Sequence, residues 1–166
     1  MDEEALTVLK ELSELSNRMD LNLFSLKVNL TPNETIFQFQ QLAKEGFLQK
    51  VGNGYGITER GKTALKVLTP VPEELGFQFY YGLDRPADLF IDTLEDFYIV
   101  IKQINVESLE FHLYRSDFEN WLKESFKDPQ LAFEFGAVRA FNLKGEELRA
   151  ELLKALDENY CIQQLL

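Results

Sequence analysis

Cysteine and histidine are nearly absent from this 166-residue sequence, which has one of each, Cys161 and His112. A single cysteine excludes an intrachain disulfide, because that bond joins two cysteines. The usual zinc sites need three or four cysteine or histidine ligands, so the chain lacks the residues to build one. We therefore expect neither a bound metal nor a cofactor.

Long apolar runs and an excess of positive charge are also missing. The sequence has neither an apolar stretch long enough to span a bilayer nor a charged-then-apolar leader at its start. Acidic residues outnumber basic ones by 28 to 17, so the net charge is −11. The hydrophobic content of 45% is enough for a folded core. These features predict a cytoplasmic protein with no membrane partner.

The negative charge is distributed unequally along the chain. Residues 1–70 contain nine acidic and eight basic residues, a net charge of −1, whereas residues 71–166 contain nineteen and nine, a net charge of −10. Pro70 and Pro72 lie at the change, and prolines do not continue a helix. We therefore predict two domains and a linker: a first domain over residues 1–68, a linker over 69–75 and an acidic domain over 76–166.

Three helices are predicted at the start of the first domain. Apolar residues recur at helical spacing along the first of them, at Leu6, Leu9, Leu12 and Leu15. A shorter second helix has the same spacing, at Leu23, Leu26 and Leu30. Thr31 and Glu34 then form a typical capping box, so a third helix begins there, and Gly46 ends it.

A β-hairpin and a fourth helix are predicted to come next. Two short apolar segments, residues 47–51 and 55–57, flank the glycine-rich turn at residues 52–54. These glycines belong to a hairpin, and no lysine–threonine pair comes after them, so they do not predict a phosphate-binding loop. The fourth helix begins near Thr58, and we expect it to direct inward Ala64, Leu65 and Leu68.

This order of elements resembles that of the winged helix-turn-helix family. Leu42 lies four residues before Gly46, the turn leads into Phe47, and residues 55–61 are similar to the tyrosine–x–hydrophobic–threonine–glutamate–x–glycine segment of many prokaryotic regulators. In that family the third helix enters the DNA major groove and the wing lies along the backbone or minor groove. The resemblance implies nine candidate contacts: Asn33, Phe37, Gln38, Gln40, Gln41, Lys44, Lys50, Asn53 and Arg60.

The charges of the third helix weigh against simple DNA binding. A DNA-binding face usually has several lysines and arginines that neutralise phosphates. With Thr35, Phe39 and Leu42 toward the core, the outer side shows charges that nearly cancel, and Phe37 lies near its centre. Weak, salt-dependent DNA binding and protein binding therefore both remain open for this domain. Packing of Phe37 against the second domain is a further alternative.

The second domain is predicted to be helical after one short strand. Alternation over residues 77–81 favours a strand, which leads into a loop over 83–88. Apolar spacing then predicts successive helices around Phe97, Leu109, Trp121, Phe135 and Leu152. Ser116 and Glu119 suggest a second capping box. Residues 109–113 also alternate, which leaves a strand there as an alternative.

Four segments of this domain resemble an uncharacterised, mostly archaeal family of helical domains. They are residues 79–82, 108–122, 128–132 and 145–149. The resemblance implies a helical fold but no activity. The predicted fold class of the whole chain is therefore mainly α within α+β, with a winged helix followed by a predominantly helical domain.

A catalytic role is not expected for the residues around the single histidine. His112 and Arg115 are three residues apart, and Asp117 is close enough to orient an imidazole, as in an acid–base site. However, no nucleophile accompanies them, and Trp121 belongs to an apolar stripe. We interpret His112 as a structural, hydrogen-bonded residue and predict that the chain is not an enzyme.

Two functions are consistent with these predictions. The first is a winged-helix transcriptional regulator whose acidic helical domain receives an effector or forms a homodimer. The alternative is a non-enzymatic adaptor in which the winged helix binds protein instead of DNA. An acidic second domain fits a basic or apolar partner better than nucleic acid, because its negative field repels phosphate.

Overall fold

A computed structural model describes residues 1–165 of the chain. Contacts within this range divide the chain into two compact units, with the division between Thr69 and Pro70. The chain is mainly helical, and each unit also contains one two-stranded antiparallel sheet. The α+β class predicted from the sequence is therefore confirmed.

The first unit consists of three helices, a hairpin and a fourth helix, in the predicted order. Its elements are α1 (Glu3–Glu14), α2 (Leu21–Lys27), α3 (Pro32–Lys44), β1 (Leu48–Val51), β2 (Gly54–Ile57) and α4 (Glu59–Leu68). The predicted capping box of α3 is confirmed: the Thr31 backbone N–H donates to Glu34 Oε2 over 2.8 Å, and the Glu34 N–H donates to Thr31 Oγ1 over 3.3 Å.

The core of the first unit lies between its helices, but α2 contributes a different face from the one predicted. Leu23 and Leu26 point to solvent, whereas Phe24 and Val28 are buried. Phe24 and Val28 also have helical spacing, and the Phe24 ring packs against that of Phe39 with centroids 5.4 Å apart. Because an aromatic ring buries more apolar area, this face packs inward and the leucine face remains outside.

Hydrogen bonds and close packing hold the hairpin against the start of α4. Leu48 pairs with Ile57 and Val51 with Gly54 in the antiparallel register. The Thr58 hydroxyl donates to the Gly46 carbonyl over 2.7 Å and accepts from the Gly61 N–H over 3.1 Å. Thr58 and Gly61 are therefore structural residues.

The second unit contains a hairpin and then five helices. Its elements are a short 3₁₀ turn (Glu73–Leu75), β3 (Phe77–Gly82), β4 (Arg85–Ile91), α5 (Leu94–Gln103), α6 (Val106–Tyr114), α7 (Asp117–Ser125), α8 (Pro129–Ala140), α9 (Gly145–Tyr160) and a second 3₁₀ turn (Ile162–Gln164). Aromatic rings fill the core: Phe97 lies 5.1 Å from Phe118 and 5.8 Å from Phe135, measured between centroids.

The structure corrects one prediction about strands in this unit and decides between two alternatives at residues 109–113. The segment predicted as a loop over residues 83–88 forms only a tight turn and then enters β4, which pairs with β3. Irregular pairing interrupts this ladder, and Pro86 and a positive φ at Asp88 lie within β4, so the alternating pattern of a regular strand is missing. Residues 109–113 are helical, which excludes the strand alternative.

The predicted capping box at Ser116 is wrong. Ser116 adopts a left-handed conformation (φ 63°), and its side chain makes no capping hydrogen bond to the described part of α7. Glu119 is buried and accepts from the Arg139 guanidinium at 2.7 and 3.3 Å. The sequence pattern assigned the Glu119 carboxylate to a capping box. In the structure it instead links α7 to α8.

The segment predicted as a linker is attached to the second unit. The Val71 N–H donates to the Asp92 carbonyl over 2.9 Å. The Leu75 carbonyl accepts from Trp121 Nε1 at 2.8 Å and from Ser125 Oγ at 2.7 Å. Residues 70–75 are therefore a bound part of this unit. Across residues 1–165, the helices are too short or too polar for any of them to cross a membrane.

Candidate interaction surfaces

The outer face of α3 brings together four of the nine predicted contact residues. Asn33, Phe37, Gln40 and Lys44 are exposed there, and Phe37 has 56% of its surface accessible. Gln41 is half-buried at the edge of this face. A shallow pocket of about 240 Å³ lies beside Phe37, between α3 and the start of α1.

Gln38 does not belong to this face, so its prediction as a groove contact is corrected. Its side chain is only 7% exposed, and its Nε2 donates to Glu4 Oε2 over 3.3 Å. The packing of α1 against α3 buries this side of α3. Helical spacing alone did not reveal it, because glutamine is usually an exposed residue.

The remaining predicted contacts lie on the hairpin and at the start of α4. Lys50 is exposed on β1, and Asn53 is exposed in the turn. The Arg60 guanidinium lies over the Phe47 ring, 5.0 Å from its centroid. Arg60 thus packs on the base of the hairpin as well as offering a positive charge.

Ion pairs within the first unit occupy two further cations. Lys27 Nζ lies 2.5 Å from Glu11 Oε2, and this hydrogen bond raises the pKa of Lys27. Lys62 Nζ lies 2.6 Å from Glu59 Oε1. Two cations are therefore paired within the unit, whereas the Arg18 guanidinium lies beside the hairpin turn.

Sequence reasoning missed an exposed apolar surface on α2. Leu23 and Leu26 are 60% and 76% exposed, on the side of α2 opposite Phe24 and Val28. We call Leu23 and Leu26, three residues apart on one face, the α2 apolar surface. Phe37 is a separate exposed ring, on the side of α3 that faces the start of α1. The competing Phe24 and Val28 spacing was a signal in the sequence that could have revealed it.

His112 in the second unit is buried and hydrogen-bonded on both ring nitrogens. The Tyr80 backbone N–H donates to Nε2 over 2.8 Å, so this nitrogen has no proton. The proton is therefore on Nδ1, which donates to Asp117 Oδ2 over 2.8 Å. Burial lowers the pKa of His112 and the charge of Arg115 lowers it further, although Asp117 acts in the opposite direction.

A cleft of about 540 Å³ lies beside His112, between the β3–β4 hairpin and helices α6 and α7. Aromatic residues form part of its wall, among them Tyr80, Phe111 and Trp121. Arg115 lies over the Phe111 ring and contacts Asp117 at 3.3 Å. His112 contributes to this wall, but both of its nitrogens are already bonded within the protein.

The described residues contain no group of three histidine, cysteine, aspartate or glutamate side chains arranged to hold a metal ion. Comparisons of the chain with family models, with curated proteins and with solved structures give no match. Any functional assignment must therefore come from the geometry of the two units.

Proposed function

We propose that this chain is a non-enzymatic binding protein whose first unit is a winged-helix domain that binds a protein partner. The order α1–α2–α3–β1–β2–α4, with a two-stranded hairpin before the last helix, supports the winged-helix assignment. The observation that carries the proposal is the α2 apolar surface, in which Leu23 and Leu26 are each more than half exposed; the Phe37 ring of α3 is a second exposed apolar site.

Such a surface has the composition of a protein interface. Exposed large apolar side chains that lie together mark binding sites in soluble proteins, because water contact with them is unfavourable. Around Phe37, the exposed polar residues Asn33, Gln40 and Lys44 provide a rim of the kind found at interfaces. Phosphate binding would instead require a group of cations on this side.

The geometry of His112 supports the non-enzymatic part of the proposal. A histidine that acts as a general base must have a ring nitrogen that is free to accept a proton from a bound substrate. In His112, Nε2 accepts from the Tyr80 backbone and Nδ1 donates to Asp117. The imidazole therefore stabilises the position of β3 on α6 and α7.

Site-specific photocrosslinking tests the proposed protein contact. A photoreactive residue at Leu26 of the full chain should form an adduct with one discrete protein in cells. Leu23→Glu, three residues away on the same face of α2, should abolish that adduct. The same photoreactive residue at Lys10, exposed on α1, is the control. Equal adducts at both positions, or an adduct that persists in Leu23→Glu, would contradict the proposal.

Double-stranded DNA is the second candidate partner, in which case the chain is a regulator with an acidic effector domain. One observation favours it: Asn33, Gln40 and Lys44 share the outer face of α3, and Lys50 and Asn53 are exposed on the hairpin. Asparagine and glutamine can pair with adenine edges. The small number of cations predicts weak binding.

Titration of a labelled duplex at several salt concentrations tests this second candidate. If about three cations contact phosphates, affinity should fall about 40-fold between about 50 and 200 mM salt. Lys50→Gln and Arg60→Gln should weaken binding more than Gln40→Ala, whereas Lys123→Gln in the second unit should have no effect. Tight binding that resists salt would contradict the expected contribution of these cations.

A further inference from the structure

We propose that two copies of this chain associate through the outward face of α8 in the second unit. Phe133 and Phe141 are 71% and 76% exposed, among the most exposed large apolar side chains of the described residues. This contact involves a different unit from the winged helix and does not depend on what the first unit binds.

The two rings belong to one apolar face. At about 100° per residue, Phe133, Ala137 and Ala140 lie within about 60° of one another around the helix axis. The buried residues of α8, including Leu131 and Phe135, occupy the opposite side. Phe141 comes directly after the helix as the C-cap residue with helical dihedral angles. The helix is thus apolar on both sides, which is typical of a helix that is fully covered.

Charge does not oppose contact at this face. The two charged residues of α8 are both bonded within the unit. Glu134 accepts from Gln130 at 2.9 Å and from Asn159 at 2.6 Å, and Arg139 is paired with Glu119. The face therefore offers a partner two aromatic rings and small side chains instead of ions.

The spacing of these residues makes the face complementary to itself. Phe133 and Phe141 lie four residues before and after Ala137. If two α8 helices pack antiparallel about a two-fold axis at Ala137, Phe133 of one copy lies opposite Phe141 of the other. The small side chains of Ala137 and Ala140 allow the axes to approach to about 8 Å. A second copy thus supplies the matching surface.

The exposed rings supply about half of the area that a small stable interface buries. Each ring exposes about 150 Å², so four rings bury about 600 Å² on association. A standard interface buries about 1,200–2,000 Å², and the neighbouring side chains of the two helices supply the remainder. The rings would then be the central anchors of the contact.

The net charge of the second unit decides how salt affects this contact. Two copies each bring a net charge of −10 in residues 71–166, while the contact itself is neutral. Salt screens the repulsion between the units and leaves the apolar contact intact. Association of two copies should therefore strengthen with salt, whereas docking of a basic partner on the same unit should weaken.

Sedimentation velocity of the full chain over a range of protein and salt concentrations tests the proposal. We expect a monomer–dimer equilibrium that shifts toward the dimer in higher salt. Phe133→Glu and the uncharged Phe133→Ser should each weaken association at least tenfold with an unchanged melting temperature. Leu83→Glu, at a residue 73% exposed on the β3–β4 turn, is the matched control and should leave the equilibrium unchanged.

Cysteine crosslinking at the proposed axis gives an independent readout. In a Cys161→Ser background, Ala137→Cys should form a covalent dimer on oxidation, whereas Lys123→Cys on α7 should not. A chain that is monomeric at every concentration, a dimer unaffected by both Phe133 variants, or equal crosslinking at the two positions would overturn the proposal.

Discussion

The tautomer of His112 is set by two hydrogen bonds, one to the distant Tyr80 and one to the nearby Asp117. The Tyr80 N–H can only donate, so Nε2 must accept and the proton must lie on Nδ1. A second proton on Nε2 would face the Tyr80 N–H without an acceptor. Burial is the main reason that the pKa of His112 is lowered. The Tyr80 N–H likewise disfavours a second proton on the ring.

We expect folding stability to fall as the pH drops from about 7 to about 5. In this range the unfolded histidine, with its ordinary pKa near 6.5, binds a proton, whereas the folded imidazole, whose pKa is lowered, binds it less readily. The unfolded state binds more protons, so acid favours it. Thermal unfolding at several pH values measures the effect, and His112→Gln should have a smaller pH dependence. Equal pH dependence in both proteins would rule out His112 as the cause.

Phe37→Glu should leave the first unit folded. The side chain is mainly exposed, so the change should alter the free energy of unfolding by only about 0.5 kcal/mol. Leu42→Ala, at a buried position of the same helix, is the contrasting variant and should cost about 2–5 kcal/mol. Denaturant unfolding compares the two. A loss of several kcal/mol in Phe37→Glu would show that this ring is a packing residue.

The packing of α4 depends on the absence of a side chain at Gly61. Gly61 lies in the first turn of α4, where an added Cβ would be 2.3 Å from the Phe47 carbonyl oxygen. That oxygen also accepts from the Thr58 N–H over 3.0 Å, so it has little freedom to move. The glycine lets α4 approach the start of β1 closely.

Gly61→Ala should therefore destabilise the first unit by about 3 kcal/mol, because backbone must move to accommodate the methyl group. Gly54→Ala on β2 is the control, since its added Cβ would come no closer than 4.0 Å to another atom. We expect a change below about 1 kcal/mol there. Urea unfolding monitored by circular dichroism tests both variants, and equal effects would contradict the packing explanation.

As a whole molecule, the chain should behave as two independently folding units. Each has its own core, and the division lies between Thr69 and Pro70. A fragment of residues 1–69 is near the lower size at which single domains fold, and four of its helices have capping side chains. Its amide NMR spectrum should show dispersed peaks that superpose on those of the full chain. A collapsed, undispersed spectrum would contradict this expectation.

Local patterns were sufficient to predict most of the elements. Helical spacing and the Thr31–Glu34 capping box depend on residues three or four positions apart, so they operate before distant contacts form. The hairpin of the first unit was likewise predicted from a glycine-rich turn between two apolar segments. The exposure of Phe37 and Lys44 on the outer face of α3 was also predicted correctly from helical spacing.

Tertiary contacts decided which residues are buried where local spacing allowed more than one arrangement. On α2, two faces had helical spacing, and the Phe24–Phe39 contact selected which one is buried. Gln38 became a core residue because α1 covers it, and β4 formed because β3 pairs with its irregular sequence. His112 bonds to Tyr80, 32 residues away. Sequence patterns act over a few residues, whereas burial depends on which distant element packs against a helix. That packing left Leu23 and Leu26 exposed as the α2 apolar surface.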